Sequence, residues 1–270
     1  MEQHDTSYHL WSPLSQTKWY LITTIDDHSR RILYGDLWEK ETSWAHIVAA
    51  RTVVTGFGCP LKYYVDNHSI FRFVERRDTV WQRSHVGEEE AVVQWKEVLK
   101  DLNIEVTYAL SPAAKGKVER PYQWLQDHLV RTCVREGITE IGQAREVLYE
   151  ELYRYNNRRV HSTTKEIPIV RYEKALKEKR SLFRNLQIRK PYETLEDIFC
   201  YRIKRVVDSY RKVSWNALKF SLSGVSPHDE VELRISFDLK TRIANVRFWC
   251  RGRLVGEHPV KSEDIQKVHF

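Results

Sequence analysis

The chain has 270 residues, more than one hydrophobic core usually serves, so a larger domain followed by a smaller one is expected. With 41% apolar and 12% aromatic residues it can bury a core, which excludes disorder as its main state, and its longest apolar stretches, around Trp19–Ile25 and Ile47–Val54, fall far short of the roughly 20 residues that span a bilayer. The net charge of +7 is uneven: residues 1–130 hold 15 Lys and Arg against 18 Asp and Glu, residues 131–270 hold 29 against 19, which suits a rear half that grips a polyanion and a front half that presents carboxylates.

In chain order, Met1–Asp5 has neither the basic nor the apolar region of a secretory signal, so action in the cytoplasm is expected. Trp19–Asp26 (WYLITTID) is a near-continuous run of β-formers, which predicts a strand covered on both faces, and Arg31–Trp38 predicts its neighbour after a short turn. Thr42–Phe57 spaces Trp44, Ile47, Val48 and Val54 as a helix and stops at Gly56 and Gly58 before Pro60. Leu61–Asp66 predicts a short strand, Glu88–Asn103 an amphipathic helix, and Ile104–Ala109 another strand.

Two further helices are predicted at about Lys117–Glu136 and Ile141–Tyr155, where apolar residues recur at intervals of three and four. Arg171–Lys190 carries eight basic residues against two acidic ones and reads as a basic helix or linker. After Thr194 come short β-rich runs separated by turns, at Tyr201–Val207, Lys212–Leu222, Glu230–Ser236, Ile243–Cys250 and Arg253–Glu257. These runs predict a small antiparallel barrel or sheet. Cys59, Cys133, Cys200 and Cys250 lie tens of residues apart with no C-x-x-C pair, so buried reduced thiols are expected rather than zinc or a disulfide framework.

Three carboxylates stand where they need a reason. Asp66 closes an apolar, aromatic strand, and ligands gather at strand ends in layered α/β folds. Asp5 sits among β-forming residues that can pair beside Trp19–Asp26. Glu119 precedes Pro121, which limits an unkinked helix to a start near Lys117 or Val118 and so puts Glu119 in the first turn, where the helix dipole favours an ionised carboxylate. Taken singly, each also reads as a turn residue or a helix-end residue.

Together they sit in a familiar order. Asp5-Thr6-Ser7, then WYLITTIDDHSRRILYG, a helix, YYVDN, a helix, a strand and SPAAKGKVERPYQWLQDHL, followed by YNNRRVHSTTKEIP, resembles the DDE integrase core of bacterial insertion-sequence transposases, with retroviral integrase a more distant relative. The resemblance covers about residues 1–190, and more weakly 199–270. It implies an α/β, RNase H-like integrase core (a mixed sheet flanked by helices) over residues 1–165, a basic helical linker over 166–198 and a small all-β barrel domain over 199–270.

The same resemblance implies that Asp5, Asp66 and Glu119 are catalytic and hold two divalent ions, Mg²⁺ or Mn²⁺. Hard oxygen ligands suit Mg²⁺, and paired ions suit in-line displacement at phosphorus. The implied reaction is nicking at a transposon 3′ end followed by transfer of that end to target DNA. Lys115, Lys117 and Arg120 beside Glu119, Asn67 beside Asp66, and Arg159 and His161 in the YNNRRVHS segment are the expected DNA contacts; a solvated helix start is the plain alternative for the three residues around Glu119. His9 and Trp11 complete a D-x-S-x-H-x-W pattern, in which core packing is the expected role of Trp11.

Partners implied are double-stranded DNA, both transposon ends and target, and further copies of the chain in a homo-oligomer, with no membrane and with association to the nucleoid when DNA is bound. Two departures stand out: His68 replaces the family's usual glycine after Asp-Asn, and Phe71–Glu90 adds a charged insertion between Asp66 and Glu119. The family's amino-terminal helix-turn-helix has no counterpart ahead of Asp5, so either a truncated chain or recognition of the ends elsewhere is expected. Two other readings stay open on the residues alone: a DNA-binding remnant without catalysis, and a simple RNase H-like nuclease that cuts without joining.

Overall fold

The computed structural model describes residues 1–65, 86–109 and 116–265, with backbone alone over 86–93 and 116–120. The chain gathers into two compact units. The first holds Met1–Glu41, the stretch beginning at Val48, and Asn103–Leu186; the second holds Thr42–Ile47, the stretch ending at Leu102, and Gln187–Phe270.

The first unit is built on a five-stranded sheet of order β3-β2-β1-β4-β5. Strands β1 (Glu2–His9), β2 (Trp19–Asp26) and β3 (Ile32–Trp38) are antiparallel neighbours, whereas β4 (Lys62–Val65) and β5 (Glu105–Tyr108) run parallel to β1. The first unit is therefore a mixed sheet flanked by helices, the α/β arrangement expected of it. β2 is almost wholly buried, as its unbroken apolar sequence requires.

Successive residues of β2 face opposite sides. Trp19, Leu21 and Ile25 join Trp11, Leu37 and the apolar stripes of α3 (Gly116–Arg135) and α4 (Ile141–Asn157) in one core, with Leu125, Leu129, Ala144 and Leu148 fully buried. Trp11 is itself fully buried, so its role is packing. α3 begins at Gly116, which leaves Pro121 inside the helix at the cost of one backbone hydrogen bond. α4 also closes the outer edge of the sheet: Asn156 accepts from the Ile32 N–H and donates to the Ile32 carbonyl, each at 2.9 Å, and Arg145 donates to the Leu37 carbonyl. An edge strand whose backbone is taken by side chains offers less to a foreign strand. Helix and strand meet so closely that a Cβ on Gly35 would lie 2.9 Å from Leu152 Cδ1.

Helix α1 (Ser43–Phe57) ends at Gly58, whose φ of +100° and close approach to the Arg184 carbonyl exclude a side chain. Cys59 and Arg184 then exchange backbone hydrogen bonds of 2.7 and 2.9 Å. Helix α5 (Pro168–Lys177), inside the predicted linker, packs in this first unit through buried Tyr172, and the Arg31 guanidinium lies over the rings of Phe57 and Tyr172 at 5.1 and 4.7 Å.

The second unit contains α2 (Val86–Asp101), whose described apolar residues Trp95, Val98 and Leu99 are buried, the short helix α6 (Leu195–Ile198) and six strands. β11 (Arg253–Lys261), β10 (Ile243–Cys250), β9 (Glu230–Asp238) and β6 (Tyr201–Val206) form an antiparallel sheet; β7 (Lys212–Trp215) and β8 (Leu218–Ser221) form a separate hairpin. Where a small barrel is expected, the strands of this unit form a four-stranded sheet and a hairpin whose Phe220 packs on Phe248 and His258.

Buried charge organises this unit. Asp197 has no exposed surface, and its carboxylate accepts from the Thr194 N–H and hydroxyl at 3.2 and 3.0 Å and from Trp249 Nε1 at 3.0 Å, with Arg247 Nε at 3.2 Å. Arg234 lies 3.6 Å over the Tyr192 ring and pairs with Glu232, and Arg202 pairs with Asp101 on α2 at 2.9 Å. All four cysteines are free and buried.

Candidate active site

Asp5 occupies the middle of β1, directly across from Thr23 on β2. Direct cross-strand partners project to the same face of a sheet, so Asp5 shares a face with Thr23, the face that α3 covers. Thr23 Oγ1 and Tyr122 Oη are 2.8 Å apart, a buried hydrogen bond that ties the early part of α3 to this register. Tyr122 follows Glu119 by three residues, and positions three apart in a helix lie on one face. The helix thus carries position 119 on the side bonded to the neighbour of Asp5.

The next strand over contributes its end. β4 pairs with β1 in parallel, Glu2 with Tyr63 and Gln3 with Tyr64, so Val65 is level with His4, one residue short of Asp5. Asp66 is the next residue in the chain. It lies outside the described residues, as do Asn67, Lys115 and the greater part of the Phe71–Glu90 insertion; Lys117, Glu119 and Arg120 are described only as backbone within α3.

Asp5 itself is half-buried. On the opposite face, His4 Nδ1 lies 2.8 Å from Thr24 Oγ1 and its ring meets Tyr63 edge-on, which locks the strand beneath Asp5. No group of three His, Cys, Asp or Glu side chains able to hold a metal occurs among the described residues, which include the side chain of only one of the three expected ligands. That donor set is all carboxylate oxygen and fits a hard divalent cation.

The two candidates after α4 differ. The Arg159 guanidinium lies over Trp124 and Tyr155 at 5.2 and 5.4 Å, and burial pushes the Tyr155 phenol up to about 12. His161 is 5% exposed, and its Nδ1 accepts from the Thr163 and Thr164 N–H groups at 3.2 and 3.4 Å. Its ring holds a turn, and a phosphate reaches it only if that turn opens.

The positioning pair Thr23 and Tyr122 is not singled out by sequence reasoning. Tyr122 reads there as one more apolar member of its helix. The available signal was polarity: a threonine pair inside WYLITTID is out of place unless its hydroxyls are used.

No family model matches the chain. A Sinorhizobium fredii protein named "Putative transposase y4bF" is 30% identical over 154 residues, which are 57% of this chain and 32% of that protein. The transposase for insertion sequence IS1202 of Streptococcus pneumoniae is 27% identical over 154 residues, again 57% of this chain and 31% of the relative. Among solved structures, the HTLV-2 integrase catalytic core domain in complex with magnesium (trimeric form) aligns at TM-score 0.44 and 17% identity, covering 63% of this chain and 93% of that one. The simian T-cell lymphotropic virus intasome in complex with PP2A regulatory subunit B56 gamma aligns at 0.48 and 13% identity, covering 94% and 76%. The chain spans about a third of the length of the curated relatives it matches, and over more than half of its own length it is similar to bacterial transposases, one of them that of an insertion sequence.

Proposed function

We propose that this chain carries the catalytic core of a DNA transposase, which frees a 3′-OH at a transposon end and joins it to target DNA. The observation that supports this reading is the setting of Asp5: its cross-strand neighbour Thr23 is bonded to Tyr122, three positions after Glu119 in α3, and β4, the strand that Asp66 follows in sequence, runs parallel beside β1. Similarity to transposases supports it.

In this reading Asp5, Asp66 and Glu119 hold two divalent ions, Mg²⁺ or Mn²⁺, through carboxylate oxygens. When bound, the ions supply Lewis acidity to the attacking and leaving oxygens of an in-line displacement. Lys115, Lys117, Arg120 and Asn67 contact the phosphates beside the reacting bond, and Arg159 a more distant one. First water, then the freed 3′-OH attacks phosphorus; each attacking oxygen loses a proton, and the leaving 3′ oxygen is protonated. Double-stranded DNA is the substrate, and two ends held together require more than one copy of the chain.

The test is incubation of the purified chain with supercoiled plasmid and oligonucleotides bearing free 3′-OH ends, with Mg²⁺, Mn²⁺ or EDTA. Metal-dependent joining is expected, and it is lost in Asp5→Asn, Asp66→Asn and Glu119→Gln proteins that retain their circular dichroism and DNA binding. Joining that persists in Asp66→Asn overturns the assignment. Metal-dependent cutting without joining replaces it with a nuclease.

A further inference from the structure

The face of the sheet turned away from Asp5 carries a cavity that the proposed chemistry leaves unused. Glu2 precedes Asp5 by three residues and so projects from the opposite face, together with Asp26, its direct cross-strand partner. Both line a cavity of about 120 Å³ within the first unit. Its walls are largely apolar: Pro60 and Leu61 ahead of β4, Tyr172 and Leu176 of α5, and Leu182 and Phe183 in the segment after α5. Leu61, Leu176 and Leu182 are exposed, so apolar side chains stand at the surface around it.

The two acidic groups are unevenly served. Asp26 accepts from the Ser29 N–H at 2.9 Å and from the Ser29 hydroxyl. Glu2 is 1% exposed, and its Oε2 has no hydrogen-bond partner among the described residues; Oε1 lies 3.8 Å from the Met1 amine, beyond hydrogen-bond reach. A donor that reached this buried oxygen would recover what leaving it unmet costs. Arg180 also lines the cavity, but its guanidinium is bonded to Glu178 at 2.6 Å. Two acidic side chains disfavour an anion, and the apolar walls leave too few oxygens for a hard divalent ion. A cavity of about 150 Å³ holds benzene, so this one has room for roughly five non-hydrogen atoms.

We propose that this cavity binds a small primary amine in its protonated form, the ammonium donating to Glu2 Oε2 beside Asp26 and the alkyl stem lying against Leu176, Leu182 and Phe183. Burial, then the Asp26 charge, holds the Glu2 carboxyl above the usual range. The other titratable groups around it are the Met1 amine, Asp27 after β2, Tyr63 on β4, Tyr172 on α5, His28 at the cavity wall and His4 two places along its own face. An arriving ammonium favours the ionised carboxyl, so Glu2 gives its proton to solvent as the amine seats. Affinity therefore rises with pH until the amine itself loses its proton.

The experiment titrates the full chain at neutral pH with n-butylamine hydrochloride, and with n-butanol and sodium butyrate as neutral and anionic probes of the same stem, by ligand-observed NMR. Butylammonium is expected to bind roughly 10-fold more tightly than butanol, as a charge-assisted hydrogen bond implies, and butyrate is expected not to bind. Glu2→Gln keeps the side-chain shape and is expected to bring the amine and the alcohol within about 3-fold of each other, with butanol bound as by the parent. Calorimetry in buffers of different ionisation heat is expected to show a proton released on amine binding by the parent and none by Glu2→Gln. Equal binding of amine and alcohol by the parent, a preference that survives in Glu2→Gln, amine binding without proton release, or no binding of any probe overturns the site. No DNA enters the experiment, so each of these results leaves the transposase reading standing.

Discussion

The hydroxyls of Thr23 and Tyr122 meet at 2.8 Å in the interior, and through them α3 is keyed to the residue beside Asp5. Removing one partner takes away this buried hydrogen bond, at a cost of about 1 kcal/mol. Tyr122→Phe and Thr23→Val should each lower the urea midpoint, and the double variant should cost less than the sum. Joining activity should fall further than stability does, because the shift moves position 119 relative to Asp5. Equal losses in a double-mutant cycle that proves additive would show the bond to be idle.

Asp197 has no exposed surface and serves two threonine donors, an indole and a guanidinium. Asp197→Leu removes the buried carboxylate beside Arg247, which keeps Glu257 at 3.8 Å and the Thr194 hydroxyl, and empties the cap of α6, so the second unit should lose about 3 kcal/mol. Urea unfolding followed by tryptophan fluorescence checks this, since Trp249 reports from the same network.

Glu2 is buried and directly opposite Asp26, and burial, then the Asp26 charge, holds its carboxyl well above the usual 4.5. The folded state therefore keeps a proton that the unfolded chain releases. Stability from this group is full below the ordinary glutamate range and declines as pH rises from about 4.5 toward the raised folded value. Glu2→Gln should flatten that decline and leave the protein more stable than the parent at neutral pH. The check is the urea midpoint measured across pH in both proteins.

DNA affinity should fall steeply with salt. If Lys117 and Arg120 each neutralise one phosphate, each alanine variant should reduce the slope of log affinity against log salt by about 0.9. The His161→Ala slope should match the parent, since that ring is turned into its own loop. Filter binding across a salt series measures all three.

The strands and helices were legible in the chain because their patterns are local. WYLITTID announces a strand buried on both sides, and the stripe of Leu125, Leu129, Ala144 and Leu148 announces two helices on one core. The three carboxylates were legible as candidates because a charged group at a strand end or a helix start conflicts with its apolar surroundings. Helix ends moved by a residue or two, as at Gly116, since Pro121 is tolerated inside a helix once packing outweighs one lost hydrogen bond.

What only the tertiary structure decided is which of these local features meet. The register that sets Asp5 opposite Thr23, and the bond from Thr23 to Tyr122 across 99 positions of sequence, depend on contacts that no local pattern encodes. The same holds for His161, polar and conspicuous in its segment yet folded inward. Propensity and periodicity act over a few residues and determine the elements. Burial and hydrogen-bond satisfaction act between elements, and they determine which side chains end in the core and which are left to meet a ligand.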